Sequence, residues 1–450
     1  MLSAAASLHR VPSPPGLPLL GHALAFGRDP LGFFVRLRDE YGDVVSWSLG
    51  PRRSLFVSRP EHIGEFLGAV EQTFEVIDIS WAFRQLVGGS VLLSRGADWR
   101  RKRSLVQSAV RPRQVREYAA TMVDCGVAHT DRWHSGQRID VLSEMTTLAQ
   151  RIVVRTLFGS DLSDQGRSLA AAMAVAQQET RAELRGVSLF LPGWVATPGR
   201  RRLLAAVATI DAEVNRLIAE LQVGGGAEPR GELLARLLAA RDEKGRPLSP
   251  REVRDEAVTL WAAGHETTST ALTWAWYLLA RSPEVRGRLT EELDRVLGGR
   301  PPVFDDYERL RWTQQVVKET LRLYPPVWTI PAMAREGASI GGVPVRPGTT
   351  VWCSQWSTHR DPRWFPDPTA FRPERWDADA PQPVPDHAWF PFGGGQRACL
   401  GARFAQVEAV LLLATVAQRF HLDVDPGEPT PRPGLILQPA EPLRATLRQL

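Results

Sequence analysis

Phe392-Gly-Gly-Gly-Gln-Arg-Ala-Cys399-Leu-Gly401 places three glycines and an arginine directly ahead of a cysteine, near the end of a 450-residue chain. Glycines permit left-handed turns and close approach of backbone to a flat partner. The apolar pattern from Gly401 to Phe420 predicts a helix that starts just after the cysteine. A thiol at a helix N-terminus beside Arg397 has its thiolate favoured by backbone N–H groups and positive charge, as a metal-ligating cysteine requires. A buried structural cysteine is the common fate of a free thiol, so this stretch read alone leaves both open. Gly393-x-Gly395-x-x-Ala398 also fits the dinucleotide spacing, but that motif needs a preceding strand inside a βαβ unit. A coil crowded with Pro, Trp and Phe from Asp361 to Gly395 stands there instead, and nicotinamide binding is rejected.

Outward from this loop, the sharpest element is a long helix in mid-chain. Ser249, Pro250 and Glu252 supply an N-cap, a proline at the first helical position and a capping-box acid. The apolar pattern then runs to about Ala280, ahead of Pro283, some 30 residues or roughly 45 Å of helix. Within it lies Ala263-Gly264-His265-Glu266-Thr267-Thr268. Gly264 weakens a helix by about 1 kcal/mol relative to Ala, and Thr267 and Thr268 can bond back to the preceding turn, so a local opening of the ladder is expected. An acid and a hydroxyl beside such an opening could bind and protonate a small polar ligand. His265-Glu266 begins the zinc-protease pattern, but the second histidine would fall at Ser269, which excludes zinc proteolysis.

Glu319-x-x-Arg322, ahead of Pro325-Pro326, puts an acid and a base on one helix face. Alone it says little, because on a surface helix such a pair adds only ~0.2–0.5 kcal/mol. The remaining chain reads as a proline-rich lead-in over 1–22, a short helix near Pro30 to Tyr41 and a hairpin of Asp43 to Leu49 with Ser54 to Ser58. Helices follow from Pro60 to about Leu297, with breaks near Gly88-Gly89, Gly159, Pro192 to Gly199 and Gly224 to Gly226. Strand signals return at Ser339 to Val345 and Thr349 to Ser354.

Composition narrows the class. With 43% hydrophobic and 23% charged residues, the chain is an ordinary globular one rather than a collagen-like or disordered one. Three scattered cysteines form no disulfide framework, which points to a reducing cytoplasm. No apolar run reaches the ~18 residues of a membrane span, and the N-terminus lacks the features of a signal peptide. The +5 net charge rests almost wholly on dispersed arginine, which argues against nucleic acid and leaves room for an acidic protein partner. Length alone would suggest three domains at about 150 residues each.

Four elements now stand in one order: Trp99-x-x-x-Arg103, AGHETT, ExxR with Phe371-Arg-Pro-Glu-Arg375-Trp376, and FGGGQRACLG. In this they resemble the cytochrome P-450 family of haem-thiolate monooxygenases, from about Pro14 to the C-terminus. The resemblance implies a mainly α (α+β) fold, a large helical part with a smaller β-rich part, the haem between the long helix and the Cys399 loop, and one catalytic domain over 1–450. By the same resemblance Cys399 is the axial thiolate of haem b. Phe392 and the glycines shield it, Gly401 closes its loop, and Ala263 on the long helix belongs to the haem site. Trp99, Arg103 and Arg397 match the propionate partners, arginine's fork suiting a carboxylate. Glu266 and Thr267 match the acid-alcohol pair, the alcohol steadying dioxygen while the acid helps deliver protons. Glu319, Arg322 and Arg375 match a buried structural triad, and His359 and His387 are expected to be structural.

Two departures matter. Where many bacterial members have a further propionate arginine this chain has Ala332, with Arg335 nearby on a position that alternation turns away. The acid-alcohol pair, which peroxide-using members tend to lack, is present. The expected reaction inserts one oxygen atom of O2 into a C–H or C=C bond of a hydrophobic small molecule. The stretches Glu256 to Trp274 and Thr320 to Ile330 look similar to bacterial carotenoid and terpenoid hydroxylases. Electrons from NAD(P)H would arrive through external partners, a ferredoxin docking near Arg100, Arg101 and Arg403 with its reductase, and the protein would be a cytoplasmic monomer. A haem-thiolate isomerase or dehydratase and a non-catalytic haem sensor are the alternatives.

Overall fold

The computed structural model describes residues 11–159, 164–223 and 232–450. In chain order it runs α1 (Ala23–Arg28), α2 (Pro30–Arg36), β1 (Val44–Leu49), β2 (Arg52–Val57), α3 (Pro60–Ala69), β3 (Phe74–Val76), α4 (Trp81–Val87), α5 (Gly96–Ala109) and α6 (Pro112–Thr130). Then come β4 (Arg138–Asp140), α7 (Val141–Phe158), α8 (Asp164–Arg185), α9 (Pro198–Val223), α10 (Leu233–Ala239), α11 (Pro250–Arg281), α12 (Pro283–Leu297) and α13 (Arg311–Leu323). The chain ends with β5 (Ile330–Ala334), β6 (Ser339–Ile340), β7 (Val343–Pro344), β8 (Thr350–Cys353), α14 (Gln355–Thr358), α15 (Ala402–Ala417), β9 (Phe420–Val424), β10 (Pro431–Arg432), β11 (Gln438–Pro439) and β12 (Arg444–Gln449). Two compact units emerge, one of residues 1–77, 328–370 and 383–398 and the other of 78–327, 371–382 and 399–450.

The first unit is built on a five-stranded sheet ordered β1-β2-β8-β5-β3, with β2 and β8 parallel and the other neighbours antiparallel. The hairpin of β1 and β2 is the expected one. The late strands are not paired with each other: β6 and β7 form a small ribbon of their own, while β8 inserts between β2 and β5. Ile63, Phe66 and Leu67 recur on one face of α3 and are buried with Val57, Phe74 and Val351. An aromatic cluster anchors the other side, where Phe34 stacks on Phe56 at 4.9 Å and Trp47 meets Phe33 edge-on at 5.1 Å. Residues 11–16 of the lead-in have no regular structure, and Gly21 bridges to Leu49.

The second unit is organised by α11, 32 residues or about 48 Å long. Its start is the predicted one: Glu252 N–H donates to Ser249 Oγ at 3.3 Å and Ser249 N–H to Glu252 Oε2 at 2.8 Å. The expected opening of its ladder is absent, since the helix is continuous from Pro250 to Arg281. Gly264 has a packing reason instead, because a Cβ there would lie 3.0 Å from Val153 Cγ2 of α7. Thr267 does bond back, to Ala263 O at 2.8 Å, whereas Thr268 reaches out to Glu408 Oε2 at 2.9 Å. From Val407 to Ala417, α15 is buried on every face, as a helix apolar all round must be. It ends at Ala417, three residues short of the expected Phe420, which opens β9 in the sheet ordered β4-β12-β9. The break expected at Gly224 to Gly226 lies outside the described residues; those at Gly88 and Gly159 close α4 and α7 with positive φ.

Candidate active site

In the second unit, Cys399 lies three residues before the first residue of α15, and Gly401 is the N-cap of that helix. Cys399 is exposed, although protein atoms crowd its thiol on most sides. Crowding pushes the thiol above its ordinary range, while the Gly401 N–H bonded to the sulfur and the charge of Arg103 pull the other way. Cys125 and Cys353 differ: both are buried, and burial drives the Cys353 thiol far up against two opposing backbone hydrogen bonds. Only Cys399 combines access with groups that favour a thiolate.

Trp99 and Arg103 sit one turn apart on α5, Trp99 buried and Arg103 half-buried. Arg103 has no ion-pair partner among the described residues, and burial lowers its pKa while the nearby Cys399 opposes the shift. A half-buried guanidinium without a protein carboxylate is a site for an anionic ligand group.

The long helix contributes a face. Between Val253 and Leu279 most of α11 is buried; the part-exposed residues are Leu260, Ala262, Ala263, Gly264, Glu266 and Thr267, Ala263 the most exposed, and Leu260, Ala263, Gly264 and Thr267 form one stripe among them. The spacing i, i+3, i+4, i+7 makes it one side of the helix, and its residues are small enough to lie against a flat group. Glu266 faces about 100° away, where Arg181 of α8 donates to its carboxylate. Burial raises the Glu266 pKa, and Arg181 opposes that through charge and hydrogen bond. His265 is fully buried, its Nδ1 on Trp261 O at 2.8 Å and its Nε2 beside the Gln177 amide at 3.3 Å. Burial lowers it to about 4, so it is neutral and structural.

The loop ahead of Cys399 belongs to the first unit, and Phe392 is half-buried there. Gly395 has φ +61 and a Cβ on it would lie 2.2 Å from the Leu67 carbonyl oxygen, so no other residue fits without moving backbone. Arg397 donates from Nε to Glu71 Oε1 at 3.0 Å, and its second nitrogen reaches the same oxygen. Arg335 is held by Glu75 at 2.6 Å, and Ala332 is buried. His359 accepts from Phe390 N–H at 3.0 Å, fixing the coil that leads into the loop.

Glu319 is the hub of the second unit. Its carboxylate takes Arg322 Nε at 2.9 Å and Nη2 at 2.8 Å, Arg375 Nε at 3.1 Å, Trp376 Nε1 at 3.0 Å and the Arg372 N–H at 3.0 Å. Glu319 and Arg322 are both completely buried, so this is a core device and not the surface pair that its spacing alone would allow.

An exposed cysteine with thiolate-favouring neighbours, an arginine beside it with no ion-pair partner among the described residues, and a small-residue face on a buried helix would suit a haem held through sulfur and through its acidic side groups. A cytochrome P450 family model matches residues 11–447. The chain belongs to the cytochrome P450 family. Cyclooctatin synthase of Streptomyces melanosporofaciens is 36% identical to this P450 over 96% of the chain and 94% of the relative. Cyclooctat-9-en-7-ol 5-monooxygenase of the same organism is 35% identical over 92% and 90%, and pentalenene oxygenase of Streptomyces avermitilis 34% over 97% and 96%. This P450 is thus a haem b monooxygenase with the mainly α fold of its family, taking a hydrophobic substrate and electrons from redox partners. Among the described residues no helix is long and apolar enough to cross a membrane.

Sequence reading missed Arg181, Gln177 and Glu408. Each meets the AGHETT segment only through tertiary packing, and no spacing in the chain signals it. It also missed Glu71, which engages an arginine assigned to a propionate.

Proposed function

We propose that this P450 hydroxylates or epoxidises a terpenoid, and that the whole chain serves as one catalytic domain. The observation that carries the reading is the apolar stripe of Leu260, Ala263 and Gly264 ending in Thr267, on a chain similar over nearly its full length to two oxygenases named for terpenoid substrates. Cys399 would ligate the iron, with Gly401 N–H on its sulfur. Trp99 and Arg103 would hold the propionates, and Ala263 would contact the ring. Bound haem b supplies oxygen activation and accepts electrons one at a time.

Every other task falls to the chain. Thr267 donates its proton to Ala263 O, which leaves the hydroxyl lone pairs free to accept a hydrogen bond on the accessible face. Glu266 is part-buried and held by Arg181, and burial raises its pKa, so it keeps a proton more readily than an exposed carboxyl does. Because it faces α8, it must leave Arg181 or work through water to serve the Thr267 side. The apolar residues of the stripe favour an apolar substrate.

For the electron donor, a small acidic ferredoxin suits the exposed arginines. Arg100 is exposed and without a partner among the described residues, while Arg101 is taken up by Glu252 and Arg403 by Glu308 at 2.9 Å. Arg100 is therefore the strongest docking residue of the three. A cytoplasmic monomer that binds no nucleic acid completes the reading, supported by the scattered cysteines and arginines. The test is optical: the reduced carbon-monoxide complex should show the strongly red-shifted Soret band of a thiolate, lost in Cys399→Ser. Pentalenene and cyclooctat-9-en-7-ol should shift the resting Soret band more strongly than fatty acids. A histidine-type band, or an unchanged band in Cys399→Ser, would overturn the haem assignment; a preference for fatty acids would overturn the terpenoid one.

A further inference from the structure

The N-terminal third of α11 carries two adjacent buried acids that the reaction does not use. Asp255 is 5% exposed and Glu256 0%. Both point their oxygens at one irregular turn, the segment that follows α4: Gly89 N–H donates to Asp255 Oδ2 at 2.9 Å and Val91 N–H to Glu256 Oε1 at 2.7 Å. Lys102 of α5 takes the other polarity of the same turn, its Nζ on Gly89 O at 2.6 Å, and Arg254 Nη1 holds Leu86 O at 2.9 Å. The fit is tight, since Gly88 has φ +58 and a Cβ there would lie 2.3 Å from the Asp255 carboxylate. The second oxygen of Glu256 has no hydrogen-bond partner among the described residues. Buried acids are costly wherever well-packed apolar residues would serve, so their presence needs a reason in the turn they hold.

Position supplies the reason. Glu256 lies one turn before Leu260, on the same helical face as Ala263, Gly264 and Thr267. We propose that Asp255 and Glu256 are positioning residues that fix the Gly88–Val91 turn at the end of the accessible face of α11, so that the turn sets the size of ligand the site admits. Resting on the haem reading above, this adds a size limit made by backbone and held by side chains that touch no substrate. Burial pushes the Glu256 carboxyl up to about 8. Near pH 7 it is therefore a neutral acceptor, and glutamine is its like-for-like replacement.

The experiment compares imidazole with 4-phenylimidazole, a small and a bulky azole that ligate haem iron and shift the Soret band. Glu256→Leu removes the acceptor and should change the affinity ratio of the two azoles by at least about fivefold, the equivalent of about 1 kcal/mol, while Glu256→Gln keeps the wild-type ratio. Lys102→Met, which frees the same turn from its other side, should move the ratio in the same direction and decides the matter if Glu256→Leu does not fold. A thiolate-type carbon-monoxide band in every variant shows the haem site intact; its absence in wild type would strike the haem reading and not this one. With that band intact, an unchanged ratio in Glu256→Leu and Lys102→Met overturns the proposal. So does a Glu256→Gln ratio that moves as far as that of Glu256→Leu.

Discussion

Arg181→Gln removes the one cation on Glu266, and its consequence can be worked from the structure. Burial is the largest influence on that carboxyl and raises its pKa; the charge and hydrogen bond of Arg181 both lower it. Losing them must raise it further. A hydrogen bond to a charged group is worth about 1.5–3 kcal/mol. Arg181 is 35% exposed, so solvent screening places this pair at the lower end, about 1.5 kcal/mol. At about 1.4 kcal/mol per pH unit, the Glu266 titration moves up by about one unit. If Glu266 delivers its proton as the acid, turnover falls as it ionises, and the alkaline limb of kcat shifts upward by that amount in Arg181→Gln. Arg181→Lys, which keeps the charge, should restore most of the wild-type profile. The assay is the pH profile of the rate of terpenoid product formation at saturating substrate. An alkaline limb that stays in place, or moves downward, in Arg181→Gln would refute the assignment of Glu266 as the proton-delivering acid.

Four further outcomes are expected. His265 has a folded pKa of about 4 against an ordinary 6.5, so the unfolded chain takes up the proton first. Its contribution is complete above pH 6.5 and is lost as pH falls toward 4, by about 3 kcal/mol; urea melts should show this slope in wild type and not in His265→Gln. Gly395→Ala combines a left-handed residue with a clash against backbone that cannot rotate away. At about 1–2 kcal/mol for the conformation and 1–3 for the overpacking, it should lower the haem-to-protein ratio after gel filtration. Gly401→Ala meets nothing within 4 Å, keeps its N–H, and should retain haem. Glu319→Gln removes the buried negative charge that faces Arg322 and Arg375, and breaking such a buried pair costs about 3–5 kcal/mol; a melting curve like wild type would show the carboxylate charge to be dispensable.

What the sequence disclosed followed local chemistry. The cap, proline and acid at Ser249 to Glu252 mark the start of α11 because capping is decided within four residues. The hairpin at Val44 to Val57 was readable for the same reason, its two strands meeting across one turn. The pairing of β8 with β2 was not, since nothing near Thr350 signals a partner about 300 residues earlier. Gly264 shows the same limit in reverse. Its weak helix propensity suggested an opening, but tertiary packing against Val153 overrode propensity. At the site, Cys399 and Thr267 stand in recognisable strings, while Arg181 is one arginine among many until folding sets it on Glu266.

The five donors around Glu319 carry a consequence for the order in which the chain is completed. Arg322 is at hand in the same helix, but Arg372, Arg375 and Trp376 arrive more than fifty residues later in synthesis. Until then the carboxylate must keep water as its partner, and α13 cannot finish drying. The helix that bears the pair is thus held open by its own charge while the chain is still emerging. It is sealed only when the 372–376 segment docks, so a truncation before Arg372 would expose this core to proteolysis rather than leave a smaller folded protein.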